Sequence, residues 1–164
     1  MANESYVLGM TIWNAVQPIG WVRSSRNEAI DDNWDVVESV IEIDGAQFPV
    51  ESLDGIDAFS HVEVIFMFDR VSDDQITVGA RHPRGNTHWP QVGIFAQRGK
   101  NRPNRLGLTS CRLVSREGLS LRVVGLDAID GTPVLDIKPV MREFEPRGEI
   151  LQPDWATELM ASYW

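Results

Sequence analysis

Arg98, Lys100, Arg102 and Arg105 fall within eight residues of one another, inside the stretch Val92–Leu108, VGIFAQRGKNRPNRLGL. Pro103 and Gly107 punctuate that stretch. Guanidinium groups clustered on a loop shaped by Gly and Pro grip a phosphate or carboxylate through paired N–H donors. A solvated basic turn is the competing reading of the same residues. Two more turns carry chemistry. Asp69-Arg70 follows an apolar run, and Asp130-Gly131-Thr132-Pro133 precedes another, with Asp136 and Lys138 just beyond. Arginines can hold phosphate or carboxylate, turn backbone can hold a base or ribose, and Asp130 or Asp136 can accept from a hydroxyl or amine. Spacing alone therefore points to a ligand site built from turns and leaves its chemistry open.

Several chemistries are disfavoured. His61, His82 and His88 have no cysteine partners, and HExxH and CxxC spacings are absent, so no metal is expected. No GxSxG and no P-loop occurs, and no GxGxxG follows a first strand. Cys111 falls in the middle of an apolar run, the place of a small core residue rather than a nucleophile.

The elements that must position these turns read mostly as strands. Residues 6–13 and 18–24 are rich in β-branched and aromatic side chains. Val36–Ile43 favours strand over helix, and Val62–Phe68, VEVIFMF, reads as a buried central strand. Val92–Ala96 reads as a short strand leading into the basic turn. Leu108–Ser115 and Leu119–Leu126 flank Glu117-Gly118 as a hairpin, and Val134–Pro139 is a last strand. Trp34 ends a polar loop and reads as a core plug. Val71–Gln91 is long and irregular, a length that usually signals function. A helix is expected at about 153–163, with Pro153 at its first position and Trp155, Leu159 and Tyr163 on one face. Seven or eight short strands with one helix predict a single domain over 1–164. Its expected fold is mostly β, a closed or barrel-like antiparallel or mixed sheet, not a Rossmann fold.

Composition bounds the rest. At 164 residues with 43% hydrophobic content, the chain is long enough to bury a core. One cysteine rules out an intrachain disulfide framework. The opening MANESYVLGM predicts no signal peptide, and no apolar run reaches a membrane span, so a cytoplasmic protein is expected. Net charge is −9, yet Ala80–Arg116 holds eight Lys/Arg and no acid, while the remaining residues set seven Lys/Arg against 24 Asp/Glu. Such segregation makes a local positive field that a polyanion or phosphorylated ligand can use.

The ordered motifs support a family. Pro18-Ile19-Gly20 with Val22-Arg23-Ser24, Phe59-Ser60-His61, Gly93–Arg98, Arg102-Pro103-Asn104 with Leu106-Gly107-Leu108, and Asp130–Pro139 follow one another along the chain. In these pieces the chain resembles the TsaA-like family of tRNA methyltransferases, the TrmO type. The resemblance implies a β-barrel S-adenosylmethionine enzyme working as a homodimer, with tRNA as partner and no membrane or metal. The implied activity is N6-methylation of threonylcarbamoyladenosine beside the anticodon. The implied cofactor contacts are Asp69, Arg70, Arg98, Leu108, Asp130, Gly131, Thr132 and Pro133. Lys100, Arg102 and Arg105 are then assigned to the substrate.

Departures from the family pattern also stand out. The family's Pro-Arg-Gln loop corresponds here to Ala29–Trp34, its His-Gln strand end to Asp69-Arg70, and the second proline of Arg-Pro-Asn-Pro to Arg105. Val140 replaces a tyrosine after Lys-Pro, and the longer bacterial members' C-terminal extension has no counterpart. With a methyl already activated on sulfur, the protein must align attack and exclude water. If the acceptor is a substituted N6, its proton must leave, and Asp136 is the base candidate; a structural pairing with Lys138 is the alternative. A small-molecule methyltransferase and a non-catalytic SAM- or nucleotide-binding module remain the competing functions.

Overall fold

Alternation writes the strands directly. Along His61–Met67 every second residue, Val62, Val64 and Phe66, turns inward and is buried. Leu106–Glu117 does the same with Gly107, Thr109, Cys111 and Leu113. The computed structural model describes residues 16–164. Its strands are β1 (Gly20–Ser24), β2 (Glu38–Ile43), β3 (His61–Met67), β4 (Ala80–Arg81), β5 (Val92–Gly93), β6 (Leu106–Glu117), β7 (Ser120–Val124) and β8 (Pro133–Pro139). Six of them close a barrel in the order β1-β2-β7-β6-β3-β8, with every neighbouring pair antiparallel. β4 and β5 form a separate two-stranded ribbon.

The barrel interior is filled by Val22, Ile41, Val62, Val64, Phe66, Leu121, Val123, Leu126 and Val134. Gly107 lies under the Phe66 ring, where any β-carbon would collide with it. Phe66 in turn meets Phe68 edge-on at 5.2 Å. The seam between β1 and β8 is short among the described residues: Gly20 pairs Val134 and Trp21 pairs Pro133. It is extended by Ile19 N–H to Val134 O (2.8 Å), Val22 N–H to Thr132 O (2.9 Å) and Gly131 N–H to Val22 O (2.8 Å).

The expected closed β architecture is present, with three differences in detail. Val92–Ala96 is not one strand. Only Val92–Gly93 pairs, and Ile94–Ala96 coils into a 3-10 turn that buries Ile94. The cause is Gln97, whose buried amide donates to Arg81 O and Val92 O and ties this stretch to β4. The helix α1 is Asp154–Leu159, shorter than expected, with Pro153 at the N-cap in extended conformation and turns continuing to Tyr163. Val71–Gln91 is ordered by 3-10 turns and β4, and His82 Nδ1 lies 2.6 Å from Trp89 O. The strand expected at 6–13 lies outside the described residues. Among the described residues no helix is long and apolar enough to cross a membrane.

Candidate functional site

Antiparallel order fixes where the turns go. The β1–β2, β3–β6 and β7–β8 connections all leave from one end of the barrel. Asp69-Arg70, Arg98–Arg105 and Asp130–Pro133 belong to these connections, so the barrel brings the sequence-predicted turns to a common mouth. Arg70 joins two of them: its guanidinium donates to Asn27 O (3.1 Å) and Asp130 O (2.9 Å). Asp130 closes the loop on the other side, its carboxylate accepting from Ser24 N–H at 3.0 Å and its own N–H donating to Arg26 O at 2.8 Å. Gly131 turns the chain with φ of 80°, a conformation that glycine takes without a side-chain penalty. Thr132 is buried just before β8.

Arg98 donates to Leu108 O at 2.6 Å, while the Leu108 side chain faces outward from β6 and is 44% exposed. Arg102 donates to Gln97 O at 3.1 Å. These guanidinium groups are held by carbonyls, which fix them without cancelling their charge. Other members of the basic segment are neutralised by distant acids. Arg84 pairs with Asp32 (2.8 Å) and Asp31 (3.7 Å), Arg116 with Asp54 (2.9 Å), and Arg105 with Asp73. The fold thus disperses part of the positive field read from the sequence, while Arg98 and Arg102 keep their charge in the β3–β6 connection. Arg105 also has φ of 52°. Proline, fixed near −65°, is excluded from that backbone, so the departure at this position changes the local chain path.

Asp136 is not drawn into this group. Its carboxylate pairs with Lys138 at 2.8 Å and accepts from Ile137 N–H at 2.9 Å, both on its own strand. That pairing raises the Lys138 pKa above its ordinary value, through the hydrogen bond first and the Asp136 charge second. Asp69 is exposed on the turn after β3.

Sequence reasoning missed a second set of residues at the mouth. Asp127, in the β7–β8 connection, accepts from the inward-facing Thr109 hydroxyl and from the Tyr163 phenol. Burial, and next the Asp127 charge, push the Tyr163 pKa up, while Arg98 opposes the shift. Asn33 and Trp34 donate their N–H groups to Ser162 O and Tyr163 O, each at 2.9 Å. Arg26 stacks over Trp34 at 4.2 Å and donates to Asp32 O at 2.9 Å. Trp34 is a core plug, as its type suggested, at 4% exposure. The helix is anchored by Trp89 Nε1–H donating to Glu158 at 2.7 Å. The partners in these pairs lie many residues apart, so only the turn-rich spacing hinted at them.

At the barrel's opposite end is an open recess of about 450 Å³ lined mainly by Ile19, Ile43, Phe48, Leu53, Ile56, Phe59 and Ile137. Cys111 is enclosed in the wall, and burial raises its thiol pKa to about 12, which keeps it protonated and inert. Among the described residues no three His, Cys, Asp or Glu side chains gather as a metal ion would need.

The tRNA-methyltransferase O N-terminal domain family model matches residues 31–145. The chain is 37% identical over 105 residues to the tRNA (adenine(37)-N6)-methyltransferase of Homo sapiens, covering 64% of this chain and 23% of that protein. It is 35% identical over 141 residues to a probable S-adenosyl-L-methionine-binding protein of Pyrococcus abyssi, covering 82% and 72% of the two. The crystal structure of TrmO from Pseudomonas aeruginosa superposes with a TM-score of 0.67 at 29% identity, covering 84% of this chain and 60% of that one. The alignments thus span under a quarter of the human relative and three fifths of the solved one.

Proposed function

The chain belongs to the family of the tRNA-methyltransferase O N-terminal domain, and from that premise we propose that it is an S-adenosylmethionine-dependent tRNA methyltransferase. The acceptor in this reading is N6 of the threonylcarbamoyl-modified adenosine beside the anticodon. One observation carries it. Arg70, Arg98 and the Asp130–Pro133 turn gather at one barrel mouth, in a chain whose relatives are named for this cofactor and this reaction.

The residues at the mouth fit the cofactor's chemistry. Arg98 matches its carboxylate, and Asp69 and the second carboxylate oxygen of Asp130 match its hydroxyls or amine. Leu106 and Leu108, exposed on the outer face of β6, offer apolar surface to adenine. When bound, the cofactor supplies a methyl already activated on sulfonium sulfur. The chain's own task is to orient the acceptor and exclude water. The Asp130 turn is held for that by Ser24, Arg26 and Arg70, so its backbone groups are fixed before a ligand arrives. Lys100 and Arg102 are assigned to tRNA phosphates, and Arg105, already paired with Asp73, contributes less.

The homodimer is supported by the apolar outer face of the barrel. Val114 on β6 is 43% exposed and Phe95, in the β3–β6 connection, 80%. A tRNA-modifying dimer belongs in the cytoplasm.

The deciding assay is methyl transfer from labelled S-adenosylmethionine to tRNA carrying or lacking the threonylcarbamoyl group. Labelling of the modified tRNA alone supports the reading. Turnover on a small molecule but not on tRNA supports the second reading, a small-molecule methyltransferase. That reading is favoured by the net charge of −9 and by the neutralisation of Arg84, Arg105 and Arg116. Binding without any turnover identifies a non-catalytic module.

A further inference from the structure

The β7–β8 connection, Gly125–Thr132, carries the Asp130 turn and is tied down at both ends. Near β8 the ties are Ser24, Arg26, Arg70 and Val22. Near β7 the ties are the Gly125 N–H, which donates to Val37 O at 3.1 Å, and Asp127, whose carboxylate takes two hydroxyl donors from different elements: Thr109 from inside the barrel and Tyr163 from the segment after α1. The same segment also grips the β1–β2 connection, since Ser162 O and Tyr163 O accept from Asn33 and Trp34. Asn33 sits at φ of 61°, a left-handed conformation that a non-glycine residue holds only when its surroundings enforce it. Arg84 reinforces the junction from a third side: it pairs with Asp32 and lies 6.0 Å from the Tyr163 ring centroid. The β1–β2 loop is in turn bonded to the Asp130 turn through Arg70, which spans Asn27 O and Asp130 O. Tyr163 is therefore the point at which one residue fixes both loops of the mouth.

We infer that Tyr163 is a positioning residue for the adenosylmethionine site, acting through Asp127 to hold the Asp130 turn and the 26–34 loop in their ligand-binding arrangement. This inference rests on the methyltransferase reading above. A carboxylate accepting from two hydroxyls leaves its loop little freedom. Without the phenol, Asp127 keeps Thr109 alone and the segment 160–164 loses its side-chain anchor on the barrel. The loops then sample arrangements that bind less well, and the apparent affinity falls by the fraction of time spent out of place.

The test is calorimetric titration of S-adenosylmethionine into the full chain, with thermal melting of each variant alongside. Tyr163→Phe keeps the ring and its packing and removes only the hydroxyl. It is expected to weaken binding about tenfold, the scale of one lost hydrogen bond to a charged group. Asp127→Asn is expected to weaken it similarly. The double variant should be no worse than the weaker-binding single, because the bond lost in Tyr163→Phe is one of the two that Asp127→Asn alters. Glu158→Gln loosens the same segment at Trp89, away from the mouth, and should weaken binding about threefold, a fraction of that hydrogen-bond scale; it is the reserve variant should Asp127→Asn fail to fold. Unchanged affinity in Tyr163→Phe, whatever its melting temperature, overturns the inference and leaves a purely structural tie. Multiplying losses in the double variant overturn it as well. A native chain that binds no S-adenosylmethionine overturns the reading above together with this one. A native chain that binds, beside a Tyr163→Phe variant that binds equally well, overturns this one alone.

Discussion

The two ends of the barrel share one core and are finished in opposite ways. At the mouth, three arginines are moored to carbonyls, Arg70 to Asn27 and Asp130, Arg98 to Leu108 and Arg102 to Gln97, while Arg84 and Arg105 are paired with Asp32 and Asp73. At the far end the mooring arginine is Arg116, which donates to Leu53 O (2.9 Å) and Val50 O (2.7 Å) and is also paired with Asp54. The far-end cation is thereby neutralised, and the recess beside it is apolar. A carbonyl fixes a guanidinium and leaves its charge to act on a ligand, whereas a carboxylate fixes it and consumes that charge. The mouth thus keeps arginines whose charge no carboxylate cancels, and the far-end arginine is neutralised. The contrast predicts that changes at the two ends separate binding from folding.

The largest effect expected is at the far end. Leu53→Ala removes a buried side chain and should cost about 2–4 kcal/mol of stability. Denaturant unfolding will read that loss, and calorimetry should find S-adenosylmethionine affinity unchanged; a parallel loss of affinity would break the contrast. Next comes the mouth. Arg98→Ala should weaken cofactor binding roughly 30-fold, equivalent to about 2 kcal/mol, with melting changed little because the lost bond is exposed. Lys100→Ala is smaller again. It should lower tRNA affinity about threefold and reduce the salt slope of binding by about one, leaving cofactor affinity intact.

Two further effects concern pH and an exposed ion pair. Folding raises the pKa of Cys111 from 9.0 to about 12 and that of Tyr163 upward from 10.0. The folded chain therefore keeps protons that the unfolded chain releases. Their stabilising contribution is complete below pH 9.0 and is lost as pH rises above the unfolded values. Melting temperature should fall between about pH 8 and about pH 11, and less steeply in Tyr163→Phe. Asp136→Asn disturbs only an exposed pair with Lys138, so stability should change by at most about 0.5 kcal/mol. A rate and pH profile that also stay unchanged remove Asp136 as a base; a lost acid-side limb would restore it.

The fold was legible where side-chain alternation is strict. β3 could be read from its nearly continuous apolar run, which the structure resolves into alternation, and the β6–β7 hairpin from Glu117-Gly118, where Gly118 has φ of 58°. The stretch Val92–Ala96 misled because its apolar residues serve a 3-10 turn whose cause, Gln97, is polar. At the site, the three turns were legible as Gly, Pro and charged clusters, and antiparallel connectivity carried them to one end. Their mooring was not legible. Arg84 finds Asp32 across 52 residues, Arg105 finds Asp73 across 32, and Tyr163 finds Asp127 across 36. Pairings of that range depend on the closed barrel and leave no local pattern.

The short seam between β1 and β8 has a kinetic consequence. A barrel opens first where fewest backbone bonds hold it, and among the described residues that is the run from Ile19 to Val22 against Gly131 to Val134. The same run contains Gly131, Thr132 and Pro133 of the turn assigned to the cofactor. Breathing of the sheet and release of the ligand are therefore one motion. A ligand seated on Asp130–Pro133 should act as a clasp on the seam, and the amide hydrogens of Val22 and Gly131 should exchange with solvent more slowly while it is bound.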